Sequence, residues 1–213
     1  MTGSNTTGFT TLSAVTDERR QLAALLRTLS PQQWNTESLC AGWLVRDVVA
    51  HLLYASTPLP AYLLEVARAG GSNDRLNDLY IRRGRTMTLD ELLTAFESTI
   101  RPGPLTRSAP RIILADTFIH HQDIRRPLGL PREIPEQRLA ALLRHPDPFL
   151  RPRRRMRGLR FTATDVDWQH GDGPTVQGPG EAIVMAIAGR SAALADLGGA
   201  GVDILRERLG AAA

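Results

Sequence analysis

The sequence contains no lysine: all 26 of its basic side chains are arginine. That absence excludes a Schiff base to a carbonyl substrate or to pyridoxal phosphate, and a Walker A phosphate loop cannot be completed. Cysteine occurs once, as Cys40, which excludes an internal disulfide, an iron–sulfur cluster and any multi-cysteine zinc site. Long apolar runs are also missing; none approaches the roughly 18 residues of a membrane helix. Met1 to Thr11 is a polar Thr/Ser/Gly run without the apolar segment of a secretory signal. A cytoplasmic protein with no membrane partner is expected. Five histidines and 22 carboxylates remain for metal or acid–base work.

What is present is ordinary for a globular chain of 213 residues, with 42% hydrophobic and 23% charged side chains. The formal net charge of +4 says little about partners, because six arginines crowd between Arg151 and Arg160. That run has two readings. It is a phosphate-binding patch for nucleic acid, or a solvated linker whose charge attracts anionic substrates. Pro152 and the lack of interleaved aromatics favour the second.

Periodicity divides the chain. After an arm over residues 1–11 that is expected to be disordered, Leu22, Leu25, Leu26 and Leu29 follow helical spacing. Ser30-Pro31-Gln32-Gln33 and Thr88-Leu89-Asp90-Glu91 are capping boxes. Val45, Val48, Val49, Leu52 and Leu53 form another apolar stripe, and Pro110 opens a helix from about Arg111 to Arg126, stopped by Pro127 and Gly129. Residues 12–130 are therefore expected to be a helical bundle. Beyond Pro131 the pattern changes: a short helix from Glu136 to Arg144, a Pro/Arg-rich link from His145 to Arg157, and an alternating strand through Leu159, Phe161 and Ala163. His170 to Pro174 reads as a turn, Thr175-Val176-Gln177 as a strand pairing back, and residues 182–188 as a buried helix. Residues 131–213 are expected to form a small α+β domain, making the fold mainly α with a small α+β part.

The chemistry concentrates on the helix from Arg111 to Arg126. At about 100° per residue, Ile112, Ile113, Ile119 and Ile124 define an apolar arc that also holds Asp116, His120 and Asp123. A carboxylate and an imidazole at i, i+4 inside a core-facing stripe are costly unless paired or metal-bound. His51 lies at the edge of the Val48/Leu52 stripe and can face the same interior. Two readings stand on spacing alone: an internal Asp116–His120 pair, or a divalent metal held by His51, Asp116 and His120 with one coordination position open.

The run Leu39-Cys40-Ala41-Gly42-Trp43-Leu44-Val45-Arg46-Asp47-Val48-Val49-Ala50-His51-Leu52 resembles the first signature of the mycothiol-dependent maleylpyruvate isomerase family, within the wider DinB-like metal-binding bundles. The second signature is similar to the run from Asp116-Thr117-Phe118-Ile119-His120-His121 to Gly129, and the likeness continues through Gly158 to Trp168 and Gly189-Arg190. The resemblance implies a four-helix bundle followed by a small sterol-carrier-like α+β domain. It implies a divalent metal, most often zinc, on His51, Asp116 and His120, and mycothiol as the thiol cosubstrate. It also implies Arg190 as the second-domain arginine that assists catalysis, its guanidinium gripping a substrate carboxylate. Two departures matter. The acidic ligand of the family is typically Glu, so Asp116 shortens the reach. Leu44 stands where the family has a capping Ser or Thr.

The implied reaction is isomerisation or thiol transfer on a small electrophilic, anionic substrate, through a metal-bound thiolate. A metal-dependent hydrolase at the same site, or a non-catalytic metal-binding or interaction protein, are the alternatives; monomer and homodimer are both open. Other side chains have blander readings. Cys40 is expected to be structural, since no cation precedes it. His121 points about 100° from His120, toward Leu114 and Phe118, and is expected either to support the site from behind or to pack. Asp123 either orients a ligand imidazole or pairs with Arg126 or Arg46. His170 is expected in a solvated turn, and Trp34, Trp43 and Trp168 in the core or the walls of a cleft.

Overall fold

The structure is a computed structural model and describes residues 9–210. Twelve α-helices and three short strands follow one another: α1 (Thr11–Leu26), α2 (Pro31–Trp34), α3 (Val45–Leu52), α4 (Leu59–Arg68), α5 (Asn73–Arg85), α6 (Leu89–Ser98), α7 (Pro104–Ser108), α8 (Pro110–Arg125), α9 (Glu136–Arg144), α10 (Pro152–Met156), β1 (Arg160–Ala163), β2 (Gln169–His170), β3 (Thr175–Gly178), α11 (Gly180–Ile187) and α12 (Val202–Gly210). The fold is mainly α with a small α+β part. Of the expected arm, residues 1–8 lie outside the described residues. Thr11 already belongs to α1, because Thr10 and Ser13 form a capping box there.

Helices α1, α3, α6 and α8 pack as a bundle, with α5 laid against α3. α8 is buried on two sides, which explains why both His120 and His121 lie out of solvent. One face joins Val45, Val48, Leu52, Leu92, Phe96 and Ile124 in the bundle core. On the other, Ile113, Leu114, Phe118 and Ile119 join Phe161, Val176 and the apolar α11 in a second core. The C-terminal part therefore folds directly onto α8 and α1. Among the described residues no helix is long and apolar enough to cross a membrane.

Two local features set the position of α3. Leu44 occupies its N-cap without a side-chain acceptor, and Asp47 keeps the reciprocal half of a capping box by accepting the Leu44 N–H at 3.0 Å. Arg85 of α5 clamps the same carboxylate with two hydrogen bonds of 2.9 and 2.8 Å. Gly84 then lets α5 approach α3: a Cβ there would sit 2.2 Å from the Ala50 Cβ.

The C-terminal sheet differs from its expected pairing. β3 runs parallel to β1, pairing Phe161 with Val176, while the antiparallel partner of β1 is β2, which contains His170. His170 therefore lies in a strand, exposed as expected but not in the turn. The Pro/Arg-rich link is also partly helical, with a 3-10 turn at Pro148–Leu150 and α10 after it. Proline at the first position of each element supplies a preset φ where the missing N–H costs nothing.

Candidate metal and thiol site

α3 and α8 bring His51, Asp116 and His120 together. The Nε2 atoms of His51 and His120 each lie 3.4 Å from Oδ1 of Asp116. That distance is long for a charged hydrogen bond. It is close to the roughly 3.4 Å edge of a tetrahedron whose bonds are about 2.1 Å, the length of zinc–nitrogen and zinc–oxygen bonds. The donor atoms all fall within 4.8 Å of one another. Two neutral nitrogens and one carboxylate oxygen are a donor set suited to a divalent cation.

The surroundings orient these atoms. Oδ2 of Asp123 accepts a hydrogen bond of 2.9 Å from Nδ1 of His120, so Nε2 faces Asp116. The Tyr54 hydroxyl donates to Oδ2 of Asp116 at 2.9 Å, which leaves Oδ1 toward the histidines. His51 keeps a buried Nδ1 without a hydrogen-bond partner. Trp43 flanks both rings, its centroid 5.4 Å from that of His51 and 6.2 Å from that of His120, nearly parallel to the latter.

Burial opposes ionisation of Asp116, but His51 and His120 outweigh it and hold the carboxyl well below its usual range. Burial likewise opposes charging of His120, yet Cys40, Asp116 and Asp123 raise it well above 6.5. The hydroxyl of Tyr54 is pushed well up, first by burial and then by Asp116. Without a metal, the trio is an acid–base cluster that retains a proton at neutral pH; a bound cation would have to displace it.

Asp123 is the hub of a second group. Its carboxylate accepts from Arg190 through Nε at 2.9 Å and Nη2 at 2.7 Å, and from the Cys40 thiol at 3.0 Å. Of the two readings for Asp123, orientation of the His120 imidazole is the one realised. Its charged partner is Arg190; Arg126 instead pairs with Glu181 and Asp196, and Arg46 bonds the carbonyls of Gly84 and Met87. Burial would raise the Asp123 pKa, but Arg190 and His120 drive it far down.

Arg190 reaches the same cavity as the trio, turned there by Gly189 at φ +104°. The bidentate grip expected on a substrate carboxylate is taken by Asp123. Nη2 also lies 3.4 Å from the Cys40 sulfur, so Cys40 faces cationic groups and is not an isolated packing residue. The cation comes from 150 residues downstream, which the local sequence around Cys40 could not show. Tyr54 was missed too, although its position three residues after His51 on a continuing helical turn was a usable signal. A cavity of about 850 Å³ is bordered by Cys40, His51, Tyr54, Asp116, His120 and Arg190, with Tyr62, Leu63 and Val66 of α4 along one wall.

His121 takes no part in this group. Fully buried, its Nδ1 lies 2.8 Å from Glu18 Oε1, and its Nε2 accepts from Arg125 at 2.8 Å. Burial, then Arg132 and Arg125, bring it down to about 4 despite Glu18. It is a neutral structural histidine, the second of the two roles that its direction on the helical wheel allows. Trp34 is in the core, whereas Trp168 stacks near-parallel to His170 at 6.0 Å.

Comparison with known proteins places part of the chain beside one family and its fold beside two solved structures. Residues 15–102 match the profile of a family described as mycothiol maleylpyruvate isomerase N-terminal domain. Over these residues the chain is similar to that family. The match includes His51 and stops before Asp116. A solved mycothiol-dependent maleylpyruvate isomerase is similar over 84% of this chain and 88% of its own, at 18% identity and a TM-score of 0.58. The structure of a histidine-to-alanine mutant of such an isomerase aligns over 89% and 91% at 18% identity and a TM-score of 0.62. At that identity the likeness establishes the shared fold. None of the curated proteins compared matches the sequence.

Proposed function

We propose that this protein is a mycothiol-dependent isomerase or thiol transferase that uses a divalent cation, zinc in the first instance, on His51, Asp116 and His120. The observation that carries the reading is the placement of two Nε2 atoms 3.4 Å from one carboxylate oxygen, at the edge of a cavity large enough for a small molecule. The family match over residues 15–102 supports the thiol and the maleylpyruvate-like substrate. Cys40 is the only cysteine of the sequence and its thiol donates to Asp123, which supports a reacting sulfur supplied from outside.

A bound divalent cation would lower the pKa of an incoming thiol and hold it as the nucleophilic thiolate. The chain's own residues prepare that step. Asp123 holds the His120 ring with its Nε2 inward, and Tyr54 holds Asp116 with Oδ1 inward. Arg190 fixes Asp123 and places positive charge beside the cavity, favouring an anionic substrate. On a conjugated cis double bond, thiolate addition forms one C–S bond and moves the π pair onto the conjugated carbonyl. Rotation about the resulting single bond and expulsion of the thiolate give the trans isomer, with no net change in the thiol.

The test is turnover of maleylpyruvate by the metal-loaded protein with and without mycothiol. Isomerisation that requires the thiol is expected. Hydrolysis of an ester or amide substrate without thiol would replace this reading with that of a metal hydrolase. Absence of both would leave the site as a binding centre.

A further inference from the structure

A second cavity, of about 1220 Å³, lies beside the first. Arg111, Arg144, Arg151, Arg153 and Arg154 line it, all exposed. Among the described residues none of the five guanidiniums has an ion-pair partner. Their neighbour Arg155 is different, because its guanidinium bonds the Leu150 and Ile187 carbonyls and serves packing. The only carboxylate in the lining is Asp147. It is buried, and its Oδ1 is occupied by the Phe149 N–H at 2.9 Å. Arg151 is also the one non-glycine residue with positive φ among the described residues, at 52°. Left-handed backbone at such a residue is strained and tends to be kept where it positions a functional side chain.

Five unneutralised guanidiniums lining one concavity repel one another, and salt screens that repulsion only beyond about 8 Å at physiological ionic strength. A multiply charged anion relieves that repulsion. The forked donors of arginine match phosphoryl oxygens two at a time. The cavity is not isolated: Ala109, Ile112 and Asp147 border both it and the cavity of His51, Asp116 and His120. Along α8, Ile112 precedes Asp116 by four residues, about 6 Å of helix rise. A small molecule can therefore occupy both.

We propose that this arginine-lined groove is an anion-binding arm of the site, taking a phosphoryl-bearing group at one end of a small molecule whose reactive end enters the neighbouring cavity. The reactive end rests on the function proposed above; binding of the anion in the groove stands without it. A concave cavity of this size fits a small ligand better than a nucleic-acid strand. Arg157 and Arg160, the remaining exposed members of the arginine run, do not line it.

Calorimetric titration with sodium pyrophosphate at low, fixed ionic strength tests the proposal on three proteins: the unaltered chain, an Arg151→Gln/Arg154→Gln variant and His51→Ala. One saturable site is expected, weakened about tenfold or more in the double variant. His51→Ala should bind pyrophosphate as the unaltered chain does, even if zinc binding is lost or never present. Thermal unfolding of the double variant should be unchanged, since both side chains are exposed and unpaired. Absence of saturable binding, or equal binding by the double variant, would overturn the proposal. So would tight binding of a single-stranded oligonucleotide that pyrophosphate does not displace.

Discussion

Replacing Asp123 by Asn removes one charge from the point where the two halves of the site meet. The carboxylate is fully buried and accepts hydrogen bonds from His120, Cys40 and two nitrogens of Arg190. The amide keeps the shape and one acceptor oxygen but leaves the largely buried Arg190 guanidinium without a counter-charge. Breaking a buried pair in this way costs about 3–5 kcal/mol, and the retained acceptor places Asp123→Asn at the lower end. For a chain of this size each kcal/mol lowers Tm by about 2–4 °C, so about 3 kcal/mol corresponds to a fall of about 6–12 °C. The same substitution weakens the field that fixes the His120 tautomer, and loss of such a partner typically costs about 10–100-fold in metal affinity. Thermal unfolding of the metal-free protein and a competitive zinc titration measure the two effects separately. Unchanged zinc affinity with a lowered Tm would refute the orienting role and leave Asp123 as a structural anion only.

Three further outcomes follow from particular contacts. Glu18 is fully buried against His121, Arg132 and Arg138; burial opposes its ionisation, but His121 and Arg132 bring its pKa down to about 2 from 4.5. A depressed carboxyl stabilises the fold above its unfolded pKa, so its contribution, on the order of 3 kcal/mol, is lost as pH falls from about 4.5 toward 2. Glu18→Gln should lower Tm at pH 7 and flatten the acid limb of a pH–Tm profile; an unchanged profile would contradict the assignment. Gly84→Ala pits a gain in helix propensity of about 1 kcal/mol against a Cβ placed 2.2 Å from that of Ala50. Overpacking at about 1–3 kcal/mol should win, and a raised Tm by circular dichroism would show that α5 yields freely. Tyr54→Phe removes the hydroxyl that orients Asp116 and should weaken zinc binding with little effect on Tm. Equal affinity in a competitive titration would exclude that positioning role.

The parts of the site that follow one periodicity were readable in advance. Asp116 and His120 are one turn apart on α8, and α3 carries His51 on the stripe that faces α8. Their convergence needed only two amphipathic helices packed together. The Asp123–Arg190–Cys40 group was not readable in this way, because its members come from a helix, a loop after α11 and a loop before α3. The sequence has no short-range mark of such a meeting. The C-terminal strands failed for a related reason: alternation identifies a strand but does not say whether its neighbour runs parallel or antiparallel. The arginine run has the opposite lesson. As a composition it suggested nucleic acid or a linker, and only the fold separates Arg155, turned into packing, from the arginines that line one groove.

Zinc binding to the purified chain, compared with His51→Ala and His120→Ala, tests the central claim most directly. Competitive titration with a chromophoric chelator should show a single zinc ion per unaltered chain. Each substitution removes one of the two nitrogens that lie 3.4 Å from Asp116 Oδ1 and should abolish stoichiometric binding while the protein stays folded by circular dichroism. Stoichiometric zinc retained by both variants, or none bound by the unaltered chain under metal-replete conditions, would contradict the account.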